Sequence, residues 1–407
     1  MHTKTRISYL IIPIVLTLLA LFCWRLFSDD ELLPEVAELV EQYNQPRSRG
    51  TDGYFMLLGL STSAQDILVE GKGVYQHLLE SGEREPGYNR VFDELANICE
   101  VADIDCFKNV ERELENIEQL LQRNEQQLNQ LYQLDKADGF FHLGKPDWRD
   151  IQLGLSALPR AYANLLIIDL LKNDYASFNA HMQGVTRLVN SLTCQSDEWM
   201  PLIYGLMLSE RLIQTLYVAS ANDYLQADVL QSGFEQPYEC AFSEYGWLRM
   251  HERELVRNNN YHHEFLNLIA GQGEPIEHAF AGYPKWVYRL VYKPNRATND
   301  YVRLFLDRDG ERAKFKTNKP WYEYDFVNLF SDILATEVPP HFVDFKPDLL
   351  RVKLKSLLLK QFLRSNRDVD MQHIPSPLDG SMPQQINGTL CYLIPNDEPV
   401  CLREQDH

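Results

Sequence analysis

Three observations predict a mainly α-helical fold. Apolar residues recur at three- and four-residue spacing through most of residues 88–257, the polar turns between these stretches are short, and proline and glycine become dense only beyond Gly271. The architecture expected is an N-terminal transmembrane helix, then a helical-hairpin (αα) domain, then a small irregular C-terminal part with a β-hairpin. A length of 407 residues with 45% hydrophobic side chains is enough for one or two packed domains beyond a membrane segment. The net charge of −19 excludes a general nucleic-acid binder, which needs a basic footprint. That charge is uneven: residues 1–280 hold 21 basic and 41 acidic side chains, residues 281–407 hold 18 and 17.

The organisation that follows has four parts. Residues 1–28 form a cytoplasmic tip and transmembrane signal anchor, 29–50 a juxtamembrane helix and linker, 51–270 an acidic α-helical domain, and 271–407 a mixed region with a basic helix and a disulfide hairpin. Ile7 to Trp24 is an uncharged run of 18 residues, preceded by Lys4 and Arg6 and followed by Arg25. As a helix it reaches about 27 Å, close to the thickness of a hydrocarbon core, so the bilayer is its expected partner. No small-residue cleavage site follows Ala20, which favours an uncleaved anchor over a cleaved signal peptide. The basic residues ahead of the run place the N-terminus in the cytoplasm and the bulk of the chain on the periplasmic side of a bacterial inner membrane.

The elements then follow in order. Asp29–Tyr43 is a short helix, ended by the Pro46–Gly50 linker, and 51–60 (TDGYFMLLGL) is a strand or a buried extended piece. Helical patterns cover Tyr88–Cys99, Cys106–Ala137, Trp148–Asn173, Asp174–Thr193, Glu198–Ser220, Asn222–Leu230 and Glu239–Arg257. Cys106–Ala137 carries Phe107, Val110, Leu114, Ile117, Leu121, Leu128 and Leu131 at heptad-like spacing, with Asn124 as a polar interruption. It is either a long helix packed in its own domain or, through 107–131, a coiled coil that makes a homo-oligomer. The segment Glu198–Ser220 is apolar almost all round, but Pro201 and Glu210-Arg211 make it a buried core helix rather than a second span. Tyr301–Leu306 and Trp321–Leu334 read as helical. Asp348–Arg364 reads as a helix with a basic face, suited to pairing with the acidic part of the same chain or to an anionic partner.

Seven cysteines divide into Cys23 within the apolar run and six beyond it. The six fall in sequence-local pairs: Cys99 with Cys106, Cys194 with Cys240, and Cys391 with Cys401. Local disulfides are expected, as in an oxidising compartment. The first would staple a helix–helix turn and the last a hairpin around PNDEP. The middle one would close a loop of nearly fifty residues, worth up to about 4 kcal/mol in the chain-entropy model. No C-x-x-C is present, which argues against zinc.

Catalytic signatures are sparse. G-x-S-x-G, H-E-x-x-H, Walker A and the Rossmann glycine pattern are all absent from the sequence. His251-Glu252, His262-His263-Glu264 and Glu277-His278 are the one cluster with metal or acid–base potential, and His262, His263 and Glu264 are its best candidates. They support an envelope hydrolase as the alternative to a non-catalytic protein-interaction scaffold. The scaffold is the favoured expectation, with no cofactor and no metal. Asp307–Glu311 lacks EF-hand spacing and reads as a solvated turn. Asn387-Gly388-Thr389 fits a glycosylation sequon, relevant only in a eukaryote.

Gly53-Tyr54 through Leu57-Leu58-Gly59, Pro294-Asn295 with Thr298-Asn299, and the tail Pro377–Pro383 resemble a group of bacterial proteins held in the inner membrane by one N-terminal helix. The resemblance implies an envelope location and a mostly helical periplasmic body. No activity is assigned to that group, so it implies no site residues.

Overall fold

The structure, a computed structural model, describes Thr17 and residues 31–45, 50–60, 64–81, 92–99, 103–141, 157–196, 199–225, 255–256, 259–260, 293, 295, 298–299, 345–365, 374–376, 379–386, 389–394 and 398–402. The chain is mainly helical, with a three-stranded antiparallel sheet near its C-terminus. It divides into two compact units, Met1–Gln45 with His251–Phe342, and Pro46–Met250 with Val343–His407. Among the described residues no helix is long and apolar enough to cross a membrane. The run Ile7–Trp24 lies outside them, apart from Thr17.

In the first unit, helix α1 (Pro34–Asn44) starts on a proline, whose missing N–H costs nothing in a first turn. Val36 is buried with Leu255, and Leu32, Leu33, Leu39 and Val40 pack against them. The Asn299 carboxamide accepts from the Leu33 N–H at 2.9 Å and donates to the Glu31 carbonyl at 2.8 Å, fixing the chain as it enters the helix. Asn260 donates to Asn44 at 2.9 Å, at the other end of that helix.

The second unit opens with α2 (Asp52–Leu58) and α3 (Ile67–Ser81). The segment 51–60 is therefore a helix and not a strand. Its partner explains why: Gly59 and Gly71 let the two backbones touch, and a Cβ on Gly71 would lie 1.6 Å from the Phe55 carbonyl oxygen. Asp66 accepts from the Leu68 and Val69 N–H groups and so caps the start of α3.

After α4 (Asp93–Ala96), the heptad-like stretch is three helices, α5 (Ile104–Arg112), α6 (Leu114–Arg123) and α7 (Glu125–Leu134). The expected single helix is interrupted at Glu113 and Asn124, where φ falls to −108° and −102°. Asn124 is buried and donates to Glu94 at 2.8 Å and to the Leu120 carbonyl at 3.0 Å. The glutamines of α7 bind neighbouring backbone. Gln126 and Gln130 donate to the Ala64 carbonyl, Gln127 accepts from the Phe92 N–H, and Gln133 brackets Gln65 and Ile67. These side chains hold two loops in place.

Helices α8 (Leu158–Leu171), α9 (Tyr175–Cys194) and α10 (Trp199–Ala221) pack on one another. The turn between α8 and α9 rests on Asn173 at φ 55°, a left-handed position that asparagine tolerates better than most residues. Asp174 then caps α9 by accepting from the Ser177 N–H at 3.1 Å. Buried Asn164 donates to the Leu95 carbonyl at 2.7 Å and ties α8 to the end of α4. Helix α10 is a core helix, with Leu202, Leu208, Leu212, Ile213, Leu216 and Ala219 buried. Helix α11 (Phe345–Ser365) packs on α10, and its Lys355 pairs with Glu210. That ion pair is one instance of the basic helix meeting an acidic part of its own chain.

The sheet has order β1 (Gln384–Ile386), β2 (Thr389–Tyr392), β3 (Val400–Cys401), with Cys391 opposite Cys401 in register. Cys391 and Cys401 are disulfide-bonded with Cα atoms 4.1 Å apart, and so are Cys99 and Cys106 at 5.7 Å. Cys194 is disulfide-bonded as well. Its partner lies outside the described residues, as does Cys240.

Candidate functional site

One cluster of polar side chains is embedded where α7, α8 and α9 meet. Asp169 stands in an otherwise apolar run of α8 (LLIIDLL) and is buried, so it needs a partner. That partner is His181 on α9, whose Nδ1 lies 2.5 Å from the Asp169 carboxylate. The other ring nitrogen, Nε2, is 3.0 Å from the Tyr132 hydroxyl on α7, and the two rings are nearly parallel with centroids 5.4 Å apart. Carboxylate, imidazole and phenol form a chain that runs from the buried side of α8 to the partly exposed Tyr132.

A second chain runs beside it. Tyr162 of α8 is buried and donates to the Leu131 carbonyl at 3.1 Å or to the carboxylate of Asp135, the residue that ends α7. The Nε–H of Arg187 donates to the Asp135 backbone carbonyl at 3.3 Å. Gly184 passes against the Asp135 carboxylate, and Ser191 donates to the Ala137 carbonyl at 3.0 Å. One face of α9 thus clasps the end of α7.

The electrostatics follow from burial and crowding. Burial pushes the Asp135 carboxyl up to about 6, against the Tyr162 hydrogen bond and the fields of His181 and Arg187. Burial also raises Asp169 despite the favourable contact with His181. For His181, burial opposes the charged form, but the Asp169 bond and charge, with Asp135 and Asp174 behind, prevail and raise its pKa. The coupled Asp169–His181 pair therefore holds a proton more firmly than either group would alone. Tyr132 and Tyr162 are raised by burial first and by the adjacent carboxylates second.

These directions decide what the chain can do. An acid–imidazole–hydroxyl relay activates a nucleophile when it makes the hydroxyl easier to ionise. Here burial and two carboxylates make Tyr132 harder to ionise, which works against its oxygen as a nucleophile. Among the described residues no group of three or more His, Cys, Asp or Glu side chains could hold a metal ion.

Sequence reasoning did not find this cluster. His251, Glu252, His262, His263, Glu264, Glu277 and His278 lie outside the described residues, as does Asp307–Glu311. The usable signal was Asp169, a charge alone within an apolar helical run; nothing in the sequence paired it with a histidine twelve residues later. No protein-family model, curated protein or solved structure matches the chain.

Proposed function

We propose that the chain is a single-pass, membrane-anchored protein of the bacterial envelope, whose disulfide-stapled helical body lies in the periplasm and binds another envelope protein. The observation that carries this reading is the pair of disulfides at 99–106 and 391–401, set in one folded unit behind an uncharged 18-residue N-terminal run. Bonds of this kind persist where the medium is oxidising. In this reading Ile7–Trp24 is the uncleaved anchor, and helical hairpins supply the surface for a protein partner rather than a reaction.

Crosslinking in intact membranes, followed by mass-spectrometric identification, tests it. One recurrent envelope protein crosslinked to the helical body supports the scaffold. Self-crosslinks through 107–131 would make the partner a second copy of the chain. Recovery of the chain from the soluble cytoplasm, uncrosslinked to any envelope component, would overturn the proposal.

A further inference from the structure

The Tyr162 hydroxyl has one proton and two acceptors within reach, the Leu131 carbonyl at 3.1 Å and the Asp135 carboxylate. While Asp135 is ionised, one of those contacts at any moment sets lone pair against lone pair. A proton on Asp135 removes the conflict. The carboxyl O–H then donates to the Tyr162 oxygen, and Tyr162 donates to Leu131, so both bonds exist together. The neighbouring chain tolerates either state. Neutral His181 donates to Asp169 and accepts from Tyr132, whereas the imidazolium donates to both.

The charged surroundings add to this imbalance. From the end of α7 come Tyr132, Asp135 and Lys136, from α8 Tyr162 and Asp169, and from α9 His181 and Arg187. The turn between α8 and α9 adds Asp174 and Lys172, and Lys172 is engaged at 2.7 Å by Glu118 of α6. Arg187 spends its Nε–H on the Asp135 backbone carbonyl. The carboxylate fills the space that a side chain at Gly184 would occupy.

We propose that the junction of Asp135, Tyr162 and Leu131, beside the Asp169–His181 pair, is a proton-operated clamp, in which one proton taken from solution by Asp135 completes the hydrogen bonds joining α7 and α8 and tightens the helical unit in a mildly acidic medium. This does not depend on the compartment or partner proposed above. The sign is fixed by linkage. Asp135 is raised to about 6, so between its ordinary value and about 6 the folded chain binds a proton that the unfolded chain does not. Stability is therefore gained as pH falls through about 6 and lost as pH rises through it. The raised His181 acts in the same direction.

Thermal midpoints of the purified full chain in detergent, at pH 7.5 and 5.5, test the clamp. The wild type should gain roughly 2–4 °C on acidification. Asp135→Asn, which carries the shape and donor of the neutral carboxyl, should melt higher than wild type at pH 7.5 and lose most of that gain. Exposed Glu115→Gln removes an equal charge and should keep the wild-type gain. An undiminished gain in Asp135→Asn, or an equal loss in Glu115→Gln, would overturn the clamp in favour of general charge repulsion. Failure of Asp135→Asn to fold would overturn it too, because the ionised carboxylate would then be what the junction requires.

Discussion

Gly184 of α9 lies so close to Asp135 that a Cβ built on it would stand 2.2 Å from the Asp135 carboxylate oxygen. That oxygen cannot simply swing aside, because the same carboxylate is bonded to buried Tyr162. Replacing glycine by alanine within a helix ordinarily gains about 0.5–1 kcal/mol. Here Gly184→Ala should instead lose about 1–3 kcal/mol, the usual cost of overpacking. Urea unfolding of the two proteins side by side checks the sign.

The glycines of the α2–α3 crossing make a sharper contrast. A Cβ on Gly59 would lie 1.9 Å from the Ile67 carbonyl oxygen, whereas Gly73, on the same helix as Gly71, has nothing within 4 Å. Gly59→Ala and Gly71→Ala should each lose about 3 kcal/mol or leave the unit unfolded, since backbone cannot yield as a side chain does. Gly73→Ala should gain about 0.5–1 kcal/mol. Circular dichroism during urea titration separates the three.

His181 owes its raised pKa to Asp169, because its burial works the other way. An NMR titration should place the wild-type His181 midpoint above that of a free histidine. In Asp169→Asn the midpoint should fall below that value, since burial then loses its main opponent. Stability linked to His181 is present below the ordinary histidine pKa and lost as pH rises through the raised one. The variant should show no such loss.

The two disulfides whose cysteines are both described close short loops. Cys99 and Cys106 are separated by 7 residues and Cys391 and Cys401 by 10. The chain-entropy model assigns such loops about 2.5 kcal/mol each. Cys99→Ser with Cys106→Ser should lower stability by that order, with no change when a reductant is added at that site. Non-reducing peptide mapping should recover the 99–106 and 391–401 peptides as linked pairs.

The helices, the turn at Asn173 and the C-terminal hairpin were legible because local patterns specify them. Apolar spacing marks α8 to α10, and two cysteines flanking PNDEP mark β2 and β3. The segment 51–60 was misread because a short apolar run bounded by glycine fits strand and helix equally, and Gly71, which decides the matter, lies outside that run. The heptad stretch was read as continuous because its apolar positions are in phase. Of its two breaks, the one at Asn124 coincides with that side chain meeting Glu94, a contact that periodicity cannot show. Strand β1 was overlooked although Asn387-Gly388 stands between paired Ile386 and Thr389, because the dipeptide was read as a sequon rather than as a hairpin signal. The Asp169–His181–Tyr132 cluster joins three helices through tertiary packing alone, and only Asp169 betrayed it.

Alkaline phosphatase fused after His407 tests the envelope proposal most directly, since that enzyme is active only once exported to an oxidising compartment. The account predicts an active fusion that stays with the membrane fraction after salt and carbonate washing. A fusion that is inactive, while the same chain fused to a cytoplasmic fluorescent reporter glows, would place the cysteines in a reducing compartment and contradict it.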